Sequence, residues 1–391
     1  MAQTQSLYLH IPFCKKACTY CNYHFSTSQR GQPQLVKAMG KELDLRRSEL
    51  ARSPIATIYF GGGTPSLLSA EEMNFLFERV AAHATILPDA EITLEANPDD
   101  LDPDTIDRLV KSPINRLSIG VQSFSDIDLK YMGRAHNGQQ ARRALQDVRQ
   151  AGFDNFSIDL IFGSPTTTSE IWAQNLQLAI DSQARHVSAY ALTIEPKTAL
   201  EYQIKKGKSE MPSDERAEAQ YFAMCNFFAD HGFDHYEIAS FARPGFRSRH
   251  NSNYWSGRSY MGVGPSAHGF DGQLERRWNI ANNRKYVQAI SEMNTYADYL
   301  ESNGLFDSEQ LHISDRYNET IMTGLRETAG VDLNQVGRQF GHRFKDYFLQ
   351  QMHEHLESGR ITHINGRYAL APHARFLADG IAADAFWLNQ D

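Results

Sequence analysis

Over roughly its first 230 residues the chain alternates short apolar runs with longer amphipathic ones, six times in succession. The apolar runs are 6–10, 56–60, 91–95, 116–120, 155–160 and 186–190, bounded by Gly, Pro or Asn. They read as strands. The amphipathic runs 34–50, 70–83, 103–110, 139–151, 169–182 and 214–231 read as helices. Ser69 precedes Glu71 and Glu72, and Ser213 precedes Asp214 and Glu215, so two helices open with acid near their first turn. Gly152 and Gly232 stand just past two helix ends, where left-handed caps form. Six strand–helix units in a row predict a parallel sheet with right-handed crossovers. Such a sheet closes either as a flat doubly wound sheet or as a curved partial barrel. The polar and glycine-rich residues favour the barrel, because they fall at successive strand ends: His10, Gly61 to Gly63, Glu95 to Asn97, Gly120 to Gln122, Asp159, and Tyr190 with Ala191. A barrel gathers those ends into one mouth; a flat sheet spreads them along an edge. The expected fold class is therefore α/β, a partial (β/α)6 TIM-like barrel.

The pattern changes after residue 231. Run 234–241 is strand-like, and 244–270 is rich in Gly, Ser, Arg and aromatics without a helical period. It reads as an ordered loop or hairpin region on the barrel mouth, followed by a helix over 283–293 and a connector around 302–308. Helices over 309–326, 333–340 and 344–357 precede strands 360–364 and 367–370, joined by Asn365-Gly366, a strong hairpin signal. A last helix covers 372–385. Helices plus a hairpin make a small α+β, winged-helix-like module. From Leu311 onward there are eight Lys/Arg and ten Asp/Glu, which argues against a DNA reader and for a packing or lid role. The expected division is 1–232 barrel, 233–302 barrel-associated β/loop extension, and 303–391 C-terminal module. A net charge of −8 argues against nucleic acid or an anionic membrane as partner. No apolar run spans a bilayer, and the polar residues ahead of the first strand do not read as a secretory signal. The expected location is cytoplasmic, and the sparse cysteines fit a reducing compartment.

Three of the four cysteines, Cys14, Cys18 and Cys21, fall within eight residues directly after the first strand. An odd, tight cluster of this kind binds metal or does redox chemistry. Zinc stays open by counting, since His10 or His24 could complete a Cys3His set. A four-iron cluster on three thiolates leaves one iron open, the mark of a reactive site. Lys15 and Lys16 add positive charge beside it, and Cys225, in a helical run, reads as a buried apolar thiol.

The C-x3-C-x2-C spacing, its place in a loop after the first strand, and Tyr20 before the third cysteine resemble the radical S-adenosylmethionine (SAM) superfamily. The resemblance implies a [4Fe–4S] cluster on Cys14, Cys18 and Cys21, with SAM on the open iron and an electron donor for the cluster. The run Gly61-Gly62-Gly63-Thr64-Pro65 lets backbone approach a ligand closely. The superfamily commonly has Gly-Gly-Glu there; the run matches instead the oxygen-independent coproporphyrinogen III oxidase-like branch. By the same resemblance Gly62, Gly63 and Thr64 contact SAM, Tyr8 lies near its sulfur and Glu95 takes its amino group or hydroxyls. Gln122 and Asp159 serve the ribose, Arg134 pairs the SAM carboxylate, and Ala191 lines the adenine.

The run His250-Asn-Ser-Asn-Tyr-Trp255 resembles the HemW family of heme chaperones. Tyr23 stands where the true oxidase has a further cysteine, and the lead before the first strand is short where the oxidase has an extension. The resemblance implies heme binding, with His250 as an axial ligand, Asn251, Tyr254 and Trp255 beside the porphyrin, and His268 as a second candidate near SAM. From the residues alone, His250 and Asn251 read as loop caps and Trp255 as core. The expected function is a chaperone that binds heme and passes it to acceptor proteins, membrane-associated ones among them; a homodimer is compatible. The alternative is a coproporphyrinogen III dehydrogenase, so enzymatic activity stays open and no catalytic residue is assigned. A zinc-containing DNA-binding regulator is the third reading.

Overall fold

A computed structural model describes residues 4–388. The six expected strands are present as β1 (Gln5–Ile11), β2 (Ile55–Gly62), β3 (Ile86–Ala96), β4 (Arg116–Gln122), β5 (Phe156–Phe162) and β6 (His186–Ala191). They pair in sequence order, each parallel to the next. An unbroken order is the singly wound path of a barrel; a doubly wound sheet reverses direction at a switch point. The helix Ala70–His83 starts at Ser69, whose hydroxyl accepts from Glu72 N at 3.1 Å while the Glu72 carboxylate accepts from Ser69 N at 3.0 Å.

The sheet continues past both edges. On β6 lie two antiparallel strands, β8 (Ser240–Ala242) and outside it β7 (Asp234–Glu237), where one strand was expected over 234–241. On β1 lies β9 (Tyr260–Val263), parallel, followed by antiparallel β10 (His268–Phe270), β11 (Glu275–Asn279) and β12 (Phe306–Gln310). The expectation of a loop or hairpin over 244–270 is corrected in two ways. β9 adds a seventh parallel strand to the barrel, and a helix, Arg249–Trp255, precedes it. Ser248 caps that helix, its hydroxyl accepting from Asn251 N at 3.3 Å. At two turns the helix is too short to show an apolar period. The connector expected over 302–308 runs into β12, so the large sheet ends at Gln310. The helix expected over 34–50 breaks at Arg46, whose guanidinium turns inward to Glu42 and to Gly262 O.

Side chains alternate sharply across the barrel strands. Ile58, Phe60, Leu94, Leu117, Ile119, Ile158, Leu160, Val187 and Ala189 are buried in the main apolar core. The intervening positions are polar or small: Thr57, Tyr59 and Gly61; Thr93 and Glu95; Arg116, Ser118 and Gly120; Ser157 and Asp159; His186, Ser188 and Tyr190. A closed eight-stranded barrel fills its interior with branched apolar side chains. This lumen is hydrophilic, and that opens it to a ligand.

The C-terminal unit has its own core, from Tyr317 and Ile321 through Phe348 to Ile381. The helices Ile313–Arg326, Leu333–Phe340 and His342–Gln351 pack with a small antiparallel sheet of β13 (Val331–Asp332), β14 (Ile361–Ile364) and β15 (Arg367–Leu370), in the order β13-β15-β14. It joins the barrel through backbone bonds from Ile238 N to Arg326 O and from Thr328 N to Tyr236 O, both 3.0 Å.

Candidate functional site

The cysteine loop leaves β1 at Ile11 and is closed at its base by Cys14 N to Ser26 O at 3.0 Å and Ser26 N to Pro12 O at 2.9 Å. Neighbouring strand ends pin it. Gly63 N donates to Ile11 O at 2.9 Å and Thr64 N to Phe13 O at 2.7 Å, both from the end of β2. Thr19 N donates to Met132 O at 3.0 Å, and Thr19 O accepts from Leu200 N at 2.7 Å. The glycine run serves this docking as much as any ligand: a Cβ on Gly63 would stand 2.6 Å from Phe13 O and 2.8 Å from Ile11 O. Gly62 has φ +107°, and a Cβ there would meet the His10 ring.

Arg134 sits at the centre of the loop. Its Nη1 donates to Cys18 Sγ at 3.2 Å, and its Nη2 to Asn97 Oδ1 at 2.5 Å and Gly120 O at 2.7 Å, while its Nε is buried without a partner. Lys15 turns away from the thiols to pair with Asp100, so the expectation that it charges the cysteine site is corrected; Arg134 does so. Burial pushes the Cys14 thiol up to about 11, against a hydrogen bond from Thr64 that holds it down, and burial also raises Cys21. Thiolates in so enclosed a place call for a positively charged partner. Among the described residues no three His, Cys, Asp or Glu side chains converge as a single ion requires. Three thiols spread around one space fit an iron–sulfur cluster, where each binds a different iron.

Above and inside the lumen runs a cavity of about 620 Å³, within the roughly 300–1,000 Å³ of cofactor pockets. All three cysteines line it, together with Gly62, Gly63, Thr64, Glu95, Gln122, Arg134, Asp159 and Ala191. Glu95 Oε1 accepts from Tyr59 OH at 2.8 Å and Oε2 from Gly62 N at 3.1 Å; burial pushes its carboxyl up to about 7. Asp159 accepts from Ser118 at 3.3 Å, and burial pushes it up to about 6. Both carboxyls line the cavity, where a cationic group would favour their ionised form. Tyr8 lies beside the cavity rather than on its wall, stacked on Tyr59 with its hydroxyl 3.2 Å from His10 Nδ1. Tyr23 lines the cavity and is 69% exposed.

The 250–255 run lies on the helix Arg249–Trp255, which divides its side chains between faces. Residues four apart share a helix face, so His250 aligns with Tyr254 and Asn251 with Trp255. His250 is buried beneath Tyr59, with Nδ1 2.8 Å from Thr57 Oγ1 and its backbone N–H on Glu91 Oε1. Burial holds its imidazole down to about 3, so it is neutral. Tyr254 bonds Tyr260 at the outer surface, Asn251 lines the cavity, and Trp255 lies under the Arg326 guanidinium. His268 is exposed on β10 against Trp278, off the cavity wall.

Several cavity residues carried no assignment from sequence: Thr93, Arg116, Ser118, Ser157, His186 and Ser188. Their signal was there, as polar residues at every second position of otherwise apolar strands. Arg326, Arg375 and Phe376 also line the cavity and come from the C-terminal unit; nothing local in the sequence marks them.

The sequence matches the Radical SAM superfamily over residues 8–179 and the HemN C-terminal domain over residues 311–377. A Bacillus subtilis protein named heme chaperone HemW is 30% identical over 381 residues, covering 96% of this chain and 98% of that one. The Escherichia coli protein of the same name is 30% identical over 382 residues, 96% of each chain. The solved structure of Escherichia coli coproporphyrinogen III oxidase (HemN), described as a radical SAM enzyme, matches with a TM-score of 0.83. That match covers 98% of this chain and 90% of that one at 23% identity, a shared fold.

Proposed function

The chain belongs to the HemW family of radical SAM proteins, and from that premise we propose that it is a heme chaperone. It binds heme and passes it to acceptor proteins, and it holds a SAM-binding [4Fe–4S] cluster on Cys14, Cys18 and Cys21. The observation that carries this reading is the 30% identity with proteins of that name over 96% of the chain. Tyr23, at the place of the oxidase's further cysteine and open to the cavity, supports it. No helix among the described residues is long and apolar enough to cross a membrane; the proposed location is cytoplasmic.

When bound, the cluster and SAM supply one-electron chemistry. The chain's own part is to hold SAM. Glu95, fixed by Tyr59 OH and Gly62 N, receives the amino group. Arg134, braced by Asn97 and Gly120, lines the cavity and pairs with the carboxylate. Asp159 and Gln122 face the ribose and Ala191 the adenine.

A pH dependence follows. Burial raises Glu95 from 4.5 to about 7, so folding alone favours its protonated form, and this carboxyl's contribution to stability declines as pH rises from 4.5 to 7. A cationic amino group binds only the ionised form. Below pH 7 SAM binding must therefore expel a proton, and its affinity drops by about tenfold per pH unit. It is highest between about pH 7 and 8, because the amino group loses its own charge above that. Calorimetric titration across this range checks the slope, and Glu95→Gln should flatten it; a flat wild-type profile removes Glu95 from the SAM site.

The function itself is tested by anaerobic reconstitution and titration with heme. Stoichiometric binding with a Soret band, followed by transfer to an apo-acceptor, is expected. Absence of saturable heme binding overturns the reading. Conversion of coproporphyrinogen III to protoporphyrinogen in the presence of SAM replaces it with the dehydrogenase alternative.

A further inference from the structure

β8 covers only His186 to Ser188 of β6, so the edge of the barrel at Tyr190 and Ala191 has no strand beside it. The C-terminal unit closes that flank of the cavity with Arg326, Arg375 and Phe376. Arg375 Nη1 donates to His235 Nδ1 at 2.7 Å, and no described carboxylate forms an ion pair with it. His235 is neutral, its imidazole held down to about 4 by burial and by the Arg375 charge. Arg326 lies over Trp255 and pairs with Asp379, a carboxylate 76% exposed and so screened by water, while its own Nε is buried without a partner. The same cavity is lined by the apolar and aromatic side chains Tyr190, Leu192, Ile238 and Phe376, and by Asp379, the partner of Arg326. Tyr190 keeps 47% of its surface open within the cavity.

Two under-compensated guanidiniums beside an aromatic wall suit a flat apolar ring with acidic arms. A phosphate alone would leave the wall unused, and an apolar ligand would leave Arg375 without an anionic partner. We propose that this flank is a heme-docking subsite, with the macrocycle against Tyr190, Ile238 and Phe376 and the two propionates on Arg326 and Arg375. The proposal rests on the heme-chaperone reading and deepens it. On this view the C-terminal unit carries the groups that recognise the acid edge of the cargo. Asn251 lines the same cavity, and Trp255 lies under the Arg326 guanidinium.

The test compares heme with its dimethyl ester, in which both carboxylates are blocked, on the reconstituted full-length protein. Wild type should bind the ester at least about tenfold more weakly than heme, since two charge-assisted hydrogen-bonded pairs are lost. The Arg326→Gln/Arg375→Gln double variant should bind heme as weakly as wild type binds the ester, and should no longer distinguish the two. Its iron content and SAM affinity should match wild type. Equal wild-type affinity for heme and ester overturns the subsite and leaves the chaperone reading standing. Undiminished heme affinity in a folded double variant does the same. Failure of wild type to bind heme at all overturns both. If the double variant does not fold, the ester comparison on wild type decides alone.

Discussion

Cys18→Ala is expected to leave the protein without its cluster. After anaerobic reconstitution, iron and sulfide should fall from a full cluster complement to background, because Cys14 and Cys21 alone cannot hold four irons. The fold should survive. The loop is docked by backbone bonds, Cys14 N to Ser26 O, Thr19 N to Met132 O and Leu200 N to Thr19 O, none of which uses the Cys18 thiol. The lost side-chain contact is Arg134 Nη1 to Cys18 Sγ, and Arg134 keeps Asn97 and Gly120. Thermal melting by circular dichroism should therefore stay near that of cluster-free wild type while metal content collapses. A variant that retains full iron and sulfide would show that Cys18 is not a ligand.

Glu42→Ala should cost about 3–5 kcal/mol of stability, because it strips the acceptor from a buried charge network. Glu42 is fully buried on the helix Gln32–Leu45. It accepts from Arg46 Nη1 at 2.9 Å, Gly264 N at 2.9 Å, Asn279 Nδ2 at 3.0 Å and Tyr286 OH at 2.5 Å. Arg46, also buried, reaches on to Gly262 O at 2.7 Å. The pair thus ties the first helix to the strands that extend the barrel past β1. Glu49 remains to Arg46 and moderates the loss. Glu42→Gln keeps the volume but presents an amide N–H₂ to a set of donors, so it should recover only part. Urea unfolding followed by fluorescence checks this, with Trp278 reporting from β11 in the extension and Trp172 from the barrel core. A loss under about 1 kcal/mol, the scale of one ordinary hydrogen bond, would show the network to be dispensable.

Much of the fold was legible because each barrel strand is bounded by turn residues and followed by an amphipathic helix. The order of β1 to β6 follows from short right-handed crossovers, which leave few other paths. β9 was not legible. Four residues, Tyr260 to Val263, carry no strand signal of their own, and they form a strand because the free edge of β1 awaits them. Arg249–Trp255 escaped for a similar reason: two turns of polar and aromatic residues fold as a helix only against Thr57 and Glu91. Within the site, the cysteines and strand-end residues were readable from spacing and resemblance. The polar lumen was readable too, from Arg116-x-Ser118, Ser157-x-Asp159 and His186-x-Ser188, once the period of two is taken as facing a cavity rather than solvent. The HNxxYW run folds as a short helix that divides its residues between faces, a division its spacing alone did not mark.

By itself the sequence determined the barrel, the three-thiol loop and the ring of strand-end groups, because each depends on residues close together in the chain or on a repeating period. The tertiary structure alone decided where charge acts. Lys15 lies next to Cys14 in sequence yet faces Asp100, whereas Arg134, more than a hundred residues on, meets Cys18. Arg326 and Arg375 reach the cavity only because the C-terminal unit docks on β7 and β8. Charges on long side chains interact over a few ångströms of space, and that proximity is set by packing, which no local pattern records.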